Sequence, residues 1–154
     1  IKSSLFYFTF GLVPAILATP GNPGKSFSAS GSQKRCGVVP FYSQTEIWMI
    51  PSDSSGWILP KGKYETKDSS WEACARREAQ EEGGFYFDSL EYVGSFGDTV
   101  WYKGTVTRKS EPTDAKNRSR GPAEHFTFSE AAGYLTGYGE KKDYMLSAFN
   151  KAME

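Results

Sequence analysis

Short apolar runs separated by Pro, Ser and Gly residues recur along the chain. Such runs, bounded by turn-forming residues, are typical of β-strands. The strands predicted in this way cover residues 36–42, 46–50, 57–59, 85–87, 91–96, 100–107 and 126–128. Residues 108–122 are polar and contain Pro, Gly and mixed charges, so they are predicted to form a loop.

Three further segments have the signals of helices. Ser69-Ser70-Trp71-Glu72 matches the S-x-x-E capping box, in which the Ser and Glu side chains satisfy backbone amides at the start of a helix. Gly83-Gly84 predicts its end, because glycine adopts the left-handed C-cap conformation without strain. Ser129 is predicted to cap a short helix through Leu135, and residues 141–153 to form a closing amphipathic helix. This order of strands and helices predicts an α/β fold with a mixed sheet flanked by helices.

The N-terminal segment differs from the rest of the chain. Lys2 precedes an apolar run from Leu5 to Ala18, and a stretch rich in Gly, Pro and Ser follows from Thr19 to Gln33. A basic start, a short apolar run and small residues at its end are the parts of a secretory signal peptide. A strand or arm of the domain and a membrane anchor are the alternatives, although an anchor needs about 20 apolar residues.

The chain is therefore divided into a signal-like segment with its linker, residues 1–33, and one globular domain, residues 34–154. The protein is expected to be secreted, or otherwise cytoplasmic, with no stable membrane partner. The sequence does not determine the oligomeric state.

Charge and cysteine content narrow the classes of ligand and fold. The 18 basic and 18 acidic residues cancel, so no overall field would hold a polyanion. A phosphate-rich ligand must be bound locally, by a metal ion or a few cations, and general nucleic-acid binding is disfavoured. Two cysteines, Cys36 and Cys74, do not make a disulfide framework. Cys74 is predicted to be a small buried apolar residue, and a Cys36–Cys74 bridge is the less favoured alternative.

An acidic cluster ends the central helix. Glu78, Glu81 and Glu82 are spaced i, i+3 and i+4, so their carboxylates project from one face. They lie in the last turn, where the helix dipole disfavours negative charge by about 0.3–1 kcal/mol each, and they repel one another. One interpretation is a solvated acidic face. The other is that a divalent cation, Mg²⁺ or Mn²⁺, supplies the missing positive charge while Arg77 holds one carboxylate in place.

The residues around this cluster resemble a known family signature. From Gly62 to Phe85 the sequence is similar to the Nudix box, G-x5-E-x7-R-E-U-x-E-E-x-G-U, in which U is apolar. Asp68 stands at the position of the first Glu, and the spacer before Arg77 has eight residues instead of seven. An added residue in a loop costs little, and the half of the box from Arg77 onward is intact. Over residues 35–153 the chain therefore resembles the Nudix hydrolases.

The resemblance implies a fold, a reaction and a set of site residues. The implied fold is the Nudix α/β/α sandwich with a mixed central sheet. The implied reaction is Mg²⁺-dependent hydrolysis of a phosphoanhydride bond, in which water attacks phosphorus and one glutamate is the base. The metal is expected mainly at Glu78 and Glu82, with help from Glu81 and from a backbone carbonyl near Lys61–Gly62. Arg77 completes the predicted catalytic set.

The segments around the box resemble one branch of the family. Residues 57–62, 126–132 and 144–149 are similar to the diphosphoinositol polyphosphate phosphohydrolases, a branch that also accepts dinucleoside polyphosphates and, in some members, capped RNA. The expected partner is thus a small-molecule polyphosphate, with decapping of mRNA as the alternative. A catalytically idle Nudix-fold binding module is a further alternative, supported only by Asp68 and the longer spacer. Together with the signal-like segment, this branch also resembles the secreted Nudix effectors of plant-pathogenic fungi and oomycetes.

The placement of cations and aromatic residues yields candidate substrate contacts. The loop 51–56 has no cation, whereas the inositol-pyrophosphate enzymes bring Arg and Lys there. The candidate phosphate contacts are Lys34, Arg35, Lys61, Gly62, Lys63, Arg118 and Arg120. For each cation taken singly, a plain surface position is the favoured interpretation. A guanine base would need an aromatic shelf. The candidates are Tyr42, Trp48, Trp101 and Tyr102, although each is predicted to belong to the core, and His125 is interpreted as structural.

Overall fold

The computed structural model describes residues 33–137 and 139–154, which form eight strands and four helices. The strands are β1 (Arg35–Phe41), β2 (Glu46–Pro51), β3 (Trp57–Ile58), β4 (Lys61–Lys63), β5 (Phe85–Phe87), β6 (Glu91–Phe96), β7 (Thr99–Lys109) and β8 (Glu124–Thr127). The helices are α1 (Trp71–Gly83), α2 (Ala115–Ser119), α3 (Phe128–Tyr134) and α4 (Glu140–Ala152). The predicted signal-like segment and nearly all of the linker lie outside the described residues.

β1 is the central strand of a mixed sheet. It pairs in parallel with β7 from Arg35↔Thr99 to Phe41↔Thr105, while the other described strand pairs are antiparallel. Its other edge pairs first with β4, at Cys36↔Gly62, and then with β2, at Phe41↔Ile47. Two different strands thus share this edge, and residues from the ends of both meet at the pocket described below.

Different helices cover the two faces of the sheet. Alternate residues of a strand point to opposite faces, and Val39 and Phe41 of β1 pack with residues of α3 and α4. Cys36 and Val38 of the same strand pack with residues of α1. The chain therefore has the predicted α/β/α sandwich with a mixed central sheet. None of the helices in the described ranges has the length and apolar character that a bilayer crossing needs.

Helix α1 is attached to the sheet by one buried stripe. Its buried residues recur at the three- and four-residue spacing of a single helix face. They are Trp71, Cys74, Ala75, Glu78, Ala79 and Gly83. Glu78 therefore occupies a position in this stripe where an apolar residue would be expected. Gly84 ends the helix in the left-handed conformation, with φ of 70°, as predicted.

The start of α1 differs from the prediction by one residue. Ser70, and not Ser69, caps the helix by accepting a 2.9 Å hydrogen bond from the Ala73 amide. The third helical residue is then Ala73, which has no side-chain acceptor to complete a capping box. Glu72 instead forms an ion pair with Arg76 one turn later.

Three other elements differ from the prediction. The cap of α3 is Thr127, which exchanges hydrogen bonds with Glu130 in a capping box, and not Ser129. The predicted loop 108–122 contains the end of β7 and the short helix α2, capped by Asp114. β4 was not predicted, because three residues with two lysines have no strand pattern of their own and are ordered by pairing with β1.

A disulfide bridge joins β1 to α1, so the prediction for the two cysteines is wrong. Cys36 and Cys74 are bonded and fully buried, with Cα atoms 6.0 Å apart. Cys74 does lie in the buried stripe, but the packing of α1 on β1 brings it to Cys36, a proximity hidden by a sequence separation of 38. Cys36 pairs with Gly62, and Cys74 precedes Glu78 by one helical turn. The bridge therefore joins the strand and the helix next to the acidic cluster.

Candidate active site

Arg77 is the centre of a partly buried hydrogen-bond network. Its guanidinium binds both carboxylate oxygens of Asp68, with Nε–Oδ1 and Nη2–Oδ2 distances of 2.9 Å each. It also donates to Glu78 at 2.9 Å, to Glu81 at 3.2 Å and to the carbonyl of Lys63 at 2.8 Å. One cation thus connects β4, the loop after it and the last turns of α1.

Asp68 takes the place of the first glutamate of the box. Burial alone would raise the pKa of Asp68, but hydrogen bonds from Arg77 and from the Glu65 amide hold that pKa below its usual value. The bond to Asp68 is in turn the largest cause that raises the pKa of Arg77. Neither the shorter carboxylate nor the longer spacer prevents this bidentate ion pair, so neither departure favours an idle module.

The Glu78 carboxylate lies against the backbone of β4. A Cβ atom at Gly62 would lie 2.2 Å from Cδ of Glu78 and 2.3 Å from each of its oxygens. Burial raises the pKa of Glu78, the charge of Arg77 opposes the rise, and repulsion by Glu81 adds to it. Because Gly62 has no side chain, it leaves room for the Glu78 carboxylate. The negative charge of this buried carboxylate is only partly compensated.

Glu82 is held at the start of the same strand. Its Oε1 accepts a 3.0 Å hydrogen bond from the backbone amide of Lys61. Burial and the negative charge of Glu78 raise the pKa of Glu82 to about 8, and the Lys61 amide offsets only part of this rise. A carboxyl group with such a pKa can exchange a proton with water near neutral pH.

These carboxylates fit a hard divalent cation. No three acidic, His or Cys side chains form a ready-made metal cluster in the described ranges, since Arg77 draws Glu78 and Glu81 while the Lys61 amide draws Glu82. The raised pKa values of Glu78 and Glu82 nevertheless mark carboxylates whose charge is only partly compensated, since Arg77 is shared with Asp68 and Glu81. Mg²⁺ or Mn²⁺ bound to their oxygens would supply it.

The candidate backbone ligands of the metal are the carbonyls of Lys61 and Gly62, and their directions distinguish them. The Gly62 carbonyl oxygen lies 3.8 Å from the Cys36 sulfur, on the β1 side of the strand. The Lys61 amide points the other way, to Glu82, and in a strand the amide and carbonyl of one residue face the same edge. The Lys61 carbonyl is therefore the candidate metal ligand.

A polar pocket opens beside Glu82. It is formed by the loop between β2 and β3, the start of β4 and the residue after α2, with one side chain from α4. The residues that line it are Ser52, Asp53, Ser54, Ser55, Ile58, Lys61, Glu82, Arg120 and Met145. Arg120 donates to both carboxylate oxygens of Asp53, at 3.0 and 3.1 Å. Two cationic side chains, Lys61 and Arg120, thus lie beside the glutamate whose pKa is raised.

The predicted phosphate contacts separate into two groups. Lys61 and Arg120 line the pocket, and Gly62 lies under Glu78. Lys34 and Arg35 lie at the start of β1 and are not among the described residues that line this pocket.

Arg35 and Arg118 have structural partners instead. Arg35 forms an ion pair with Asp98 at 3.6 Å, and Arg118 donates to the carbonyls of Pro112 and Thr113 at 2.9 and 3.0 Å. Arg118 therefore orders the segment before α2, while Arg120 reaches the pocket. Asp53 could not be recognised as a pocket residue from the sequence, because an acid is an unexpected neighbour for a phosphate. Its only signal was its place in a loop without cations.

Two of the four aromatic candidates are core residues and two are not. Trp101 is fully buried and Tyr102 is 2% exposed, as predicted. Tyr42 is 46% exposed, so its prediction as a core residue is wrong. It lies one residue after the end of β1. Trp48 is partly buried against Phe85, at 5.6 Å between ring centroids, and the rings of Tyr42 and His125 stack.

Replacing Gly62 with alanine should abolish most of the activity and leave the fold intact. The added methyl group would displace the Glu78 carboxylate, which is the flexible end of a side chain, so the backbone need not move. We expect the rate to fall by on the order of 10²-fold, as for other losses of a positioned metal ligand. Gly133→Ala is the matched control, since nothing lies within 4 Å of the added carbon. Steady-state rates and thermal unfolding of both variants check this, and full activity in Gly62→Ala would contradict the placement of Glu78.

This chain is similar to a family model and to solved structures of known proteins. A family model described as the NUDIX domain matches residues 31–145, which include all of the site residues named above. No curated protein sequence matches the chain.

Three solved structures share the fold at low sequence identity. The NUDIX domain of Shewanella oneidensis NrtR, solved with ADP ribose, has a TM-score of 0.58 and 12% identity, covering 84% of this chain and 99% of its own. A NUDIX hydrolase from Nitrosomonas europaea has a TM-score of 0.53 and 14% identity, covering 79% and 91%. The Bacillus subtilis pyrophosphohydrolase BsRppH has a TM-score of 0.51 and 19% identity, covering 62% of this chain and 63% of its own length. At these identities the likeness shows the fold alone.

Proposed function

Because this chain belongs to the Nudix family, we propose that it hydrolyses a phosphoanhydride bond of a small polyphosphate in the pocket beside Glu82. The observation that carries the proposal is that an acidic side chain and two basic side chains line one pocket. Glu82, with its pKa near 8, forms one wall, and the cations Lys61 and Arg120 form the others. Such a pocket can hold a phosphate chain beside a group that accepts a proton.

The residues of the site have separable roles in this proposal. Glu78 and Glu82, with Glu81 beside them, would hold Mg²⁺ or Mn²⁺, which supplies positive charge to the phosphate oxygens when bound. Arg77 orients Glu78 and Glu81 through its hydrogen bonds. We assign the acceptance of the proton of the attacking water to Glu82, because its side chain lines the pocket that would hold the phosphate chain.

The pocket supports a phosphate chain without naming the group attached to it. Dinucleoside polyphosphates and diphosphoinositol polyphosphates are the two proposed substrate classes, and the 5′ cap of mRNA is the alternative. The loop between β2 and β3 contributes Asp53 in place of a cation. This favours substrates with fewer phosphates than a fully phosphorylated inositol, because each added phosphate increases repulsion from Asp53.

Product release from a panel of substrates tests the proposal. The three substrate classes are incubated with the protein in Mg²⁺, in Mn²⁺ and after chelation, and phosphate or mononucleotide is measured. Hydrolysis that requires the metal is expected with at least one class. Calorimetric binding of Mg²⁺ without hydrolysis of any class would instead assign the chain to the idle binding modules.

Arg120→Gln should raise KM for the preferred polyphosphate much more than it lowers kcat. Arg120 would contact phosphate in the ground state and transition state alike. Its side chain is only 21% exposed, so added salt should screen this contact weakly. Asp53→Asn should lower KM, because it frees Arg120 from the carboxylate that competes with phosphate. Arg108→Gln is the control, because Arg108 is an exposed cation that stacks on Tyr86 and does not line the pocket. An unchanged KM in Arg120→Gln would remove Arg120 from the binding site.

We also propose that the protein is exported and that its catalytic domain begins near Gln33. A chain that starts at Gln33 should then be soluble and fully active, because β1 begins at Arg35 and the residues from there on form three buried clusters. Circular dichroism and the hydrolysis assay on this truncated chain are the measurements. Aggregation or loss of fold would show that part of residues 2–18 belongs to the core.

A further inference from the structure

An aromatic cluster lies on the surface at the end of β1. The rings of Tyr42 and His125 are parallel within 3°, with centroids 3.7 Å apart. Trp48 meets both rings edge-on, with centroids 5.5 Å from Tyr42 and 4.9 Å from His125. We call Tyr42, Trp48 and His125 the aromatic platform. Tyr42 is 46% exposed and the His125 side chain 37% exposed, so the platform faces water.

Polar neighbours hold the platform in place. The carboxylate of Glu46 contacts Nδ1 of His125, which fixes the orientation of the imidazole ring. The Lys109 ammonium lies 5.5 Å from the centroid of the Trp48 ring. These contacts keep large rings ordered in solvent, where aromatic surface is unfavourable unless something covers it. A cation beside ordered rings suits a ligand that combines a flat π-system with phosphate.

The platform lies on the same face of the sheet as the pocket. Trp48 packs against the buried cluster that contains Ile50 of the same strand and Ala79 of α1. Ser52, the next residue of this alternating row, lines the pocket beside Glu82. Ser52 follows Trp48 by four residue steps of extended chain, or roughly 13 Å. One ligand could therefore reach both places.

We infer that the aromatic platform binds the nucleobase of a substrate whose phosphate chain enters the pocket, an inference that rests on the proposed function. The rings of Tyr42 and His125 already stack on each other, so a base would stack on an outer face of this pair. Every nucleobase has a π-face, so such stacking favours nucleotides over inositol phosphates without selecting one base. The base could come from a free dinucleoside polyphosphate or from the 5′ end of a capped RNA, since both present the same group.

Proton NMR on the full chain, produced without a histidine tag, tests this directly. His125 is the only histidine in the chain, so its imidazole resonances need no assignment. Titration with AMP and GMP should shift these resonances by ring-current effects, whereas ribose 5-phosphate and inorganic pyrophosphate should not. Tyr42→Ala should abolish the nucleotide shift and Tyr42→Phe should keep it. Tyr144→Ala, at a tyrosine of similar exposure (36%), is the control. No shift with nucleotides, or the same shift with ribose 5-phosphate, would overturn the inference.

Kinetics separate failure of this inference from failure of the proposed function. Tyr42→Ala should raise KM for a dinucleoside polyphosphate by roughly ten-fold or more and leave KM for inorganic tripolyphosphate unchanged. Equal KM changes for both would overturn the platform while hydrolysis still supports the proposed function. A nucleotide-dependent His125 shift in a protein that hydrolyses nothing would support the platform and reject the activity. Tighter binding of a capped oligoribonucleotide than of the free dinucleotide would identify RNA as the source of the base.

Discussion

Replacing Glu82 with glutamine is expected to lower turnover by a factor on the order of 10²–10⁴ while the chain still folds. The glutamine side chain has the same shape and can still accept the hydrogen bond from the Lys61 amide. It carries no charge for a metal ion and cannot accept a proton from water. Glu72→Gln, the same change on the first turn of the same helix, should keep the wild-type rate. Wild-type turnover in Glu82→Gln would remove Glu82 from the catalytic set.

The same variant should change how stability depends on pH in a buffer with chelator. Burial and the charge of Glu78 raise the pKa of Glu82 from its ordinary value of 4.5 to about 8. Between these values the native state binds the proton more tightly than the unfolded chain, so the free energy of unfolding falls as pH rises through this window. We expect the wild-type Tm to decline from about pH 5 to about pH 8. Glu82→Gln should decline less and unfold at the same or a higher temperature at pH 8.

Added Mg²⁺ provides the control for this pH effect. A cation bound to the ionised carboxylates stabilises the native state by mass action, so it should flatten the decline in the wild type. The effect of Mg²⁺ on Glu82→Gln should be smaller. Differential scanning calorimetry at several pH values gives all four curves, and a wild-type Tm that rises from pH 5 to pH 8 in chelator would contradict the raised pKa.

Removing the disulfide bridge should have the largest effect on stability. The bridge closes a loop with a sequence separation of 38, for which the chain-entropy model predicts about 4 kcal/mol, and measured losses are typically about 2–5 kcal/mol. Cys36→Ala/Cys74→Ala should therefore unfold at a much lower urea concentration. It should also need more Mg²⁺ for activity, because the bridge lies behind Gly62 and Glu78.

Chemical reduction gives a matched test of the bridge. Dithiothreitol should destabilise the wild type nearly as much as the double substitution does, and should leave the double variant unchanged. Disulfides persist in oxidising compartments, which agrees with the proposed export without testing it. Two free thiols in wild-type protein that is unfolded without reductant would show that the bridge is absent.

Much of the site could be predicted from the sequence because its chemistry is local. Arg77, Glu78 and Glu82 lie within six residues, and helical spacing alone places the two carboxylates on one face. The position of α1 and its glycine C-cap could also be predicted, since capping and periodicity depend on neighbouring residues. Asp68 could be recognised from its position in the motif, and the structure added that it binds both nitrogens of the Arg77 fork.

What the sequence left open depended on residues that are distant in the chain. Cys36 and Cys74 could be counted, but only the packing of α1 on β1 brings them together. Arg118 and Arg120 looked equivalent in one loop, and α2 directs the first to backbone carbonyls and the second to Asp53. Local sequence determined most of the elements and the charge they carry, whereas β4 depends on pairing with β1. The tertiary structure decided which charged side chains contact each other. Helix and strand periodicity relates only residues that are near in sequence, whereas Arg120 and Asp53 are 67 residues apart.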